Sequence, residues 1–426
     1  MFKKKNREEP EPEEDDEDDV DYVQFKGPIG GETPDLSKFG KLTQAALIPA
    51  KDMVTDAILR RAELLRLETK GSVTAVRIFV DGIGYPGGKM PARQAAAIIQ
   101  MLKVLAGLPP RSNGQPVSGG LRAELDDVPY ELRMKTEPAT PVERLTLRLA
   151  NTKKVPSKPD DLGISTGLRD QIRAFSRERQ KLLVVCGPPM SGLTTSTEGV
   201  LASIDFYIQS IFLVASLQKP NPMMSTFEAV DDEDLPTTLQ RIMRREPDVI
   251  YLGEIDGPEK VTAAAAFAED VAFVAELSAR DGLNGISRLI EMSDAETVAN
   301  TLGAAVGVKL IRKLCESCRM AFRPNPKMLA KVGLPRETKT LYRAGSPGED
   351  EEPCEDCGGT GYLGRIGMFE FISVDDEVCA AIRGGDPAAI RAAVKAQGGT
   401  TFQSEALRLV AEGETALEEV QRTFRR

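Results

Sequence analysis

A short turn between an apolar strand and a helical stretch has the spacing of a phosphate-binding loop. Residues 187–195 read Gly-Pro-Pro-Met-Ser-Gly-Leu-Thr-Thr, with glycine at the first and sixth positions and a hydroxyl at the eighth. The lysine that would reach the terminal phosphates is replaced by Leu193, so the pattern predicts binding without efficient phosphoryl transfer. A plain strand-turn-helix is the alternative. The candidate nucleotide contacts are Gly187, Ser191, Gly192, Leu193, Thr194 and Thr195.

An acidic residue follows a second apolar strand about 60 residues downstream. The strand Val249–Leu252 ends in Gly253 and Glu254, at the strand end where ligands of parallel sheets bind. In a nucleotidase this carboxylate holds magnesium through water or positions the attacking water. The competing interpretation is an exposed acid after a core strand. The upstream loop favours a descendant of a nucleotide site with Glu254 as a catalytic candidate.

Two cysteine pairs form the third group of candidate functional residues, and each pair has the C-x-x-C spacing of a metal-binding knuckle. Four thiolates suit a closed tetrahedral zinc site, which stabilises a fold and does not catalyse. Two disulfides are the alternative, which a cytoplasmic location disfavours. The predicted zinc ligands are Cys315, Cys318, Cys354 and Cys357.

Composition excludes several function classes. The chain has 426 residues and a formal charge of -10, and Met1–Tyr22 alone carries 4 basic and 11 acidic side chains. Without a basic excess, a nucleic-acid partner is disfavoured. The absence of histidine removes imidazole nucleophile pairs and imidazole metal ligands. No apolar run of 18 residues or apolar leader is present, so we expect a cytoplasmic protein.

Apolar periodicity predicts the elements that position these residues. Apolar spacing indicates a helix over 50–66, a strand over 73–80 and a helix over 92–106. Beyond a proline-containing linker, strands alternate with helices, which is typical of an α/β fold with a parallel sheet. Asp386-Pro387 predicts a helix start, and Thr415 with Glu418 has capping-box spacing.

The predicted organisation has six parts. They are an acidic disordered tail (1–44), a small α+β domain (45–152), a linker (153–162), a nucleotide-binding domain (163–312), a zinc-binding subdomain (313–367) and a C-terminal helical subdomain (368–426).

Taken in order, the motifs resemble the secretion and pilus-assembly ATPases of the GspE/PilB type. The resemblance covers residues 50–426 and is most specific at 244–255, 310–318, 358–367 and 413–420. It implies a RecA-like P-loop ATPase core after a PAS-like domain, a zinc subdomain, and ATP with Mg²⁺ as cofactor. It also implies hexamers docked on an inner-membrane platform, and Arg133 and Arg148 as phosphate-facing catalytic arginines.

The departures from the family pattern lie at the reacting groups. Leu193 replaces the loop lysine, and residues 213–216 read Leu-Val-Ala-Ser where the family has a Glu-Asp pair. Residues 276–278 read Glu-Leu-Ser in place of Thr-Leu-His, and 256–257 read Asp-Gly in place of Arg-Asp. Losing the lysine, an acid and the histidine together removes most of the charge stabilisation of a transition state.

The leading hypothesis is therefore a catalytically degenerate family member. It would act as a non-motor or regulatory subunit, in a homo-hexamer or in a hetero-hexamer with an active paralogue, and reach the membrane through partners only. The first rival is a working ATPase whose missing lysine is supplied by Lys181 or Lys219. The second is a zinc-bearing scaffold without a nucleotide site. The missing basic stripe disfavours a helicase.

Overall fold

The computed structural model describes residues 22–32, 34–38, 41–111, 114–153, 158–178, 180–227, 233–346, 348 and 352–425. The chain divides into two compact units, Met1–Val155 and Pro156–Arg426. The division falls inside the segment 153–162, where the sequence predicts a linker.

The first unit is an antiparallel sheet with helices packed on one face. Alternating apolar and polar residues produce seven described strands: β1 (Gln24–Pro28), β2 (Leu64–Lys70), β3 (Val73–Val80), β4 (Ile83–Pro91), β5 (Val117–Leu125), β6 (Val128–Glu137) and β7 (Arg144–Asn151). Their order is β1-β5-β6-β7-β2-β3-β4. The helices are α1 (Lys41–Gln44), α2 (Leu47–Leu59) and α3 (Ala92–Leu105), and α2 and α3 cover the apolar face.

Two expectations for this unit are wrong. The predicted helix over 50–66 ends at Leu59, and Leu64 begins β2; Arg61 turns the chain with φ +59°. The predicted tail over 1–44 contains β1, which pairs with β5, and Val23 just before this strand is buried in the core. The acidic residues 1–21 lie outside the described residues, and the PAS-like assignment of the unit stays a prediction.

The second unit is a mostly parallel sheet covered by helices on both faces. Its first half contains α4 (Thr166–Glu178), β8 (Leu182–Gly187), α5 (Leu193–Ala202), β9 (Ile211–Leu213), β10 (Ser225–Thr226), α6 (Leu235–Met243), β11 (Val249–Glu254), α7 (Pro258–Ala265), β12 (Ala272–Ser278), α8 (Gly282–Met292) and α9 (Ala295–Thr301). The α/β fold class is confirmed.

The second half of this unit adds the last two sheet strands and the helices that follow. Its elements are β13 (Leu302–Leu314), β14 (Met320–Phe322), α10 (Pro326–Val332), β15 (Leu341–Arg343), β16 (Tyr362–Ser373), α11 (Asp376–Gly384), α12 (Pro387–Gln397), α13 (Phe402–Ala411) and α14 (Leu417–Phe424). The order of the main sheet is β10-β9-β11-β12-β8-β13-β16, and only the pairing of β13 with β16 is antiparallel.

Two further predictions for this unit need correction. The boundaries at 312/313 and 367/368 cut through β13 and β16, which pair along most of their lengths. The capping box at Thr415 and Glu418 does not form, because the Thr415 hydroxyl donates to the carbonyl of Arg312. By contrast, Asp386 caps α12 through the amide of Ala388, as predicted.

Candidate functional site

The phosphate-loop residues lie at the carboxyl end of β8, a central and fully buried strand. The chain leaves the strand at Gly187, and Met190 and Gly192 then take φ values of +69° and +74°. These left-handed residues reverse the chain so that α5 can begin at Leu193. The backbone therefore retains the strand-loop-helix arrangement of a phosphate-binding loop, and it gathers all six candidate nucleotide contacts at one helix N-terminus.

The interior of this loop holds the Ser191 side chain. Ser191 is 6% exposed, and its buried hydroxyl oxygen has no hydrogen-bond partner among the described residues. A Cβ on Gly187 would lie 2.3 Å from this oxygen, so no larger residue fits at position 187. The loop is thus closely packed on the side where it leaves the strand.

A buried carboxylate binds the hydroxyl side chain of the loop. Glu276, at the end of β12, is 5% exposed and accepts hydrogen bonds from the hydroxyls of Thr194 at 3.1 Å and Tyr251 at 2.8 Å. Burial raises the pKa of Glu276, and the two hydroxyl donors oppose that rise. Burial and the adjacent Glu276 also raise the pKa of Tyr251. Thr194 is therefore already engaged by the protein itself.

Glu254 ends β11 beside this cluster, as the sequence predicts for its strand. It is exposed, and it pairs in register with Glu276 on the neighbouring strand. Lys260 donates to the carbonyl oxygen of Glu254 and forms an ion pair with Asp256 at 3.1 Å. The charges of Glu254 and Glu198 both raise the pKa of Glu276. The side chains around Thr194 thus give the site an acidic character.

This donor set does not fit MgATP. Leu193 brings no charge to the loop, and the Thr194 hydroxyl donates to the carboxylate of Glu276. The carboxylates of Glu276, Glu254 and Glu198 would repel the phosphate charges of a bound nucleotide. We therefore derive no phosphoryl-transfer step for this chain.

The two arginines predicted to face phosphate belong to the first unit. Arg133 on β6 and Arg148 on β7 are directly opposite each other in the sheet register, and both are exposed. Arg133 forms an ion pair with Glu131 at 3.2 Å. A catalytic role for either arginine stays a prediction.

The four predicted zinc ligands come together after β13 and before β16. Their sulfur atoms all lie within 4.8 Å of one another, with 3.9 Å between Cys315 and Cys354 and 3.6 Å between Cys318 and Cys357. Four sulfurs at about 2.3 Å from a tetrahedral zinc would be separated by roughly 3.8 Å. All six cysteines are free, which contradicts the disulfide alternative. The cluster could hold a metal ion.

Backbone donors support the thiolate form of this cluster. The amide of Gly361 donates to the sulfur of Cys357 at 3.3 Å, and left-handed Gly358, Gly359 and Gly361 supply the tight turn. The sequence predicts all four cysteines of this cluster because each C-x-x-C pair is local. It does not predict that Tyr251 contacts Glu276, although a hydroxyl inside a buried apolar strand indicates a hydrogen-bond partner.

Among the described residues, none of the helices has both the length and the apolar character needed to cross a bilayer.

Comparisons with known proteins agree with this architecture. Residues 42–422 match the family model described as Type II/IV secretion system protein. The chain is 27% identical over 380 residues to the type IV pilus assembly ATPase PilB of Thermus thermophilus, covering 87% of this chain and 42% of the relative. It is also 27% identical to the type II secretion system protein E of Dickeya dadantii, covering 87% of this chain and 74% of the relative.

A solved structure shows the same fold. The ATPase DotB of Yersinia pseudotuberculosis superposes with a TM-score of 0.54 at 15% identity, covering 95% of this chain and 97% of that protein. The chain spans less than half the length of the PilB relative, so the activity of that whole protein is not transferred to it directly.

Proposed function

The chain belongs to the type II/IV secretion system protein family, and from that premise we propose that it is a catalytically degenerate member. It binds ATP weakly or not at all and acts as a non-motor or regulatory subunit of a secretion or pilus machine. Its partners in this proposal are inner-membrane platform proteins, and it assembles in a homo-hexamer or in a hetero-hexamer with an active paralogue.

The hydrogen bond between Thr194 and Glu276 carries this proposal. In a phosphate-binding loop the hydroxyl at position eight coordinates Mg²⁺ while the preceding lysine neutralises the phosphates. Here the Thr194 hydroxyl donates to the carboxylate of Glu276, and the residue before Thr194 is Leu193. Both changes weaken the electrostatic attraction for the phosphates of a bound nucleotide, so their effects on nucleotide binding reinforce each other.

Zinc in the cysteine cluster has a structural role in this proposal. Cys315, Cys318, Cys354 and Cys357 would supply four thiolates and leave no open coordination position. The ion would tie the end of β13 to the segment before β16.

One observation favours an active ATPase as the second candidate. The amide of Lys219 donates to a carboxylate oxygen of Glu198 on α5 at 3.0 Å, which holds this exposed lysine near the helix that follows the loop. Lys181 is less suitable, because it precedes β8 and therefore lies about 20 Å of strand away from the loop. Of the two rescuing lysines, Lys219 is the one to test.

Nucleotide binding is the first test. The purified full chain is titrated with a fluorescent ATP analogue with and without Mg²⁺, and competed with ATP. We expect no Mg²⁺-dependent binding below millimolar ligand. Saturable, Mg²⁺-dependent binding at micromolar ligand that ATP displaces would overturn the degenerate site.

Turnover is the second test. Steady-state phosphate release is compared between the wild type, Glu254→Gln and Lys219→Ala. We expect the same background rate in all three. Release that falls in both variants would establish the active ATPase in place of the degenerate one. A chain that binds no nucleotide but still associates with an active paralogue would support the non-motor subunit.

A further inference from the structure

The solvent-facing side of the first sheet is rich in arginine. On each strand pair, residues directly opposite each other in register share a face, and this face lies opposite the helices α2 and α3. We call it the arginine face and define it by Arg66, Arg77, Arg133, Lys135, Arg144 and Arg148. We propose that the acidic segment 8–21 of the same chain docks on the arginine face.

The register brings like charges together on this face. Arg133 lies directly opposite Arg148 on β6 and β7, and Arg66 lies directly opposite Arg77 on β2 and β3. Like charges directly opposite in a sheet are destabilising. An anionic segment laid between them would remove that repulsion.

Part of the positive charge on the face is left without carboxylate partners. Lys135 and Arg144 share Glu137, at 2.9 and 3.6 Å. Three arginines, in contrast, have no ion pair within the part of the chain that the structure describes: Arg66, Arg77 and Arg148. Arg66 instead stacks on the ring of Phe79, 5.1 Å from its centroid. The exposed guanidinium groups of Arg77 and Arg148 can therefore donate hydrogen bonds to carboxylates from outside the sheet.

The composition of segment 8–21 complements this face. It holds 11 acidic residues and no basic residue among 14 positions. Residues 23–426 carry 51 basic and 54 acidic side chains, so the rest of the chain has a net charge of only about -3. The acidic segment is therefore attracted to a local concentration of positive charge such as the arginine face.

The attachment point places the segment within reach. The chain enters the described structure at Tyr22, and the amide of Val23 donates to the Thr55 hydroxyl at 3.0 Å, which fixes the start of β1. Because β1 is the edge strand of the same sheet, Arg148 lies three strand spacings away, about 14 Å across the sheet. Fourteen extended residues reach roughly 46 Å. The segment is thus long enough to cross the whole face.

Tethering makes a weak contact effective. A short linker gives an effective concentration in the millimolar range, so an affinity of even about 0.1 mM between separate partners keeps the tethered face occupied. Charges on an exposed face are screened over about 8 Å at physiological salt, so the contact is salt-sensitive. Docking would cover Arg133 and Arg148, and any other anion would have to displace the segment to reach them.

The first experiment measures competition by the tethered segment. A fluorescent peptide of residues 8–21 is titrated into the wild-type chain and into a full chain whose residues 13–19 carry Gln for Glu and Asn for Asp. We expect the neutralised chain to bind the peptide at least tenfold more tightly, because its face is vacant. Equal affinity for the two chains would overturn the proposal.

Matched variants locate the contact on the sheet. In the neutralised chain, Arg77→Glu with Arg148→Glu should weaken peptide binding at least tenfold, whereas Arg336→Glu with Lys339→Glu, at exposed positions of the second unit, should leave it unchanged. Unchanged thermal unfolding of all variants confirms that the exposed substitutions preserve the fold. Similar losses in both pairs would show unspecific attraction and reject the arginine face.

Zero-length cross-linking tests the contact within the intact wild-type chain. Carbodiimide coupling in an equal mixture of ¹⁴N- and ¹⁵N-labelled protein should join acidic residues of 8–21 to Lys135 within single-isotope species. Mixed-isotope products would assign the segment to a second copy and overturn the intramolecular contact. Links to other lysines in place of Lys135 would count against this face.

Discussion

The hydroxyl of Thr194 donates a hydrogen bond to the carboxylate of Glu276 across 3.1 Å, although the two residues are 82 positions apart in the chain. The contact joins the first turn of α5 to the end of β12, the strand that neighbours β8. Glu276 also accepts a hydrogen bond from the hydroxyl of Tyr251, so the three side chains form one polar network.

Restoring the family residues should restore anion binding. We expect Leu193→Lys with Glu276→Thr to tighten binding of the fluorescent ATP analogue at least tenfold, about 1.4 kcal/mol, because the variant gains a cation and loses a carboxylate. Either single change should achieve less, since a lysine at 193 would pair with Glu276. Leu193→Met is the size-matched control and should bind as the wild type does. If the double variant binds no better than this control, the cluster is not what prevents binding.

Metal removal should destabilise the second unit. Protein purified without added metal should contain about one equivalent of zinc, and Cys315→Ser with Cys318→Ser should contain less than half an equivalent and melt at a lower temperature. Metal analysis and thermal unfolding measure both effects. Cys379→Ser is the control, because this cysteine lies outside the cluster and donates to the carbonyl of Ala299. Full folding of the double variant without metal would contradict a structural role.

Glu370 should make stability depend on pH near neutrality. Burial raises the pKa of its carboxyl to about 7, although the amide of Gly282 donates to it at 2.7 Å. The folded state therefore holds a proton that the unfolded state releases near pH 4.5. This stabilisation is complete below that pH and is lost as the pH rises through 7.

The variant Glu370→Gln isolates this contribution, because its amide oxygen can still accept from Gly282. Between pH 5 and 8 the free energy of unfolding of the wild type should fall relative to that of the variant, by on the order of 2 kcal/mol. Urea unfolding at several pH values measures the difference. A constant difference across this range would show that the carboxyl titrates normally.

Glu419 should be essential for anchoring the last helix. Its side chain is fully buried and accepts from Arg312 at 2.6 Å, and it is also paired with Arg422. Glu419→Gln would leave two arginines without their counter-charge, which costs about 3 kcal/mol when a buried pair is broken. The exposed neighbour Glu418→Gln should change the free energy of unfolding by less than about 0.5 kcal/mol. Equal effects of the two changes in denaturant titrations would refute the assignment.

Local patterns in the sequence are sufficient to predict many of the helices and strands. The alternation over Val73–Val80 predicts β3 with its observed bounds, and the apolar run before Gly187 predicts β8. The helix predicted over 50–66 fails because Leu64 continues the apolar spacing while neither glycine nor proline marks the turn at Arg61. Strand β1 was missed within a polar region, although Val23 and Phe25 alternate with polar residues.

The candidate site likewise contains one part that local sequence patterns predict and one part that only the fold reveals. The cysteine knuckles are local in sequence, and the sequence identifies all four members. The partner of Thr194 depends on the sheet order, which places β12 directly beside β8. Sequence comparison shows Glu276 only as a missing family residue, and the fold is needed to show that its carboxylate reaches the loop.

Strand β13 connects the phosphate loop of this unit to its cysteine cluster. It begins beside β8 inside the sheet, and a Cβ on Gly192 would contact its Leu310 at 3.4 Å. One residue after its end at Leu314 comes Cys315, and thirteen residues of strand span about 43 Å. A displacement of the cysteine cluster would therefore be transmitted to the phosphate loop along the backbone of β13. Within this unit, the cysteine cluster and the phosphate loop therefore share one strand as a direct mechanical connection.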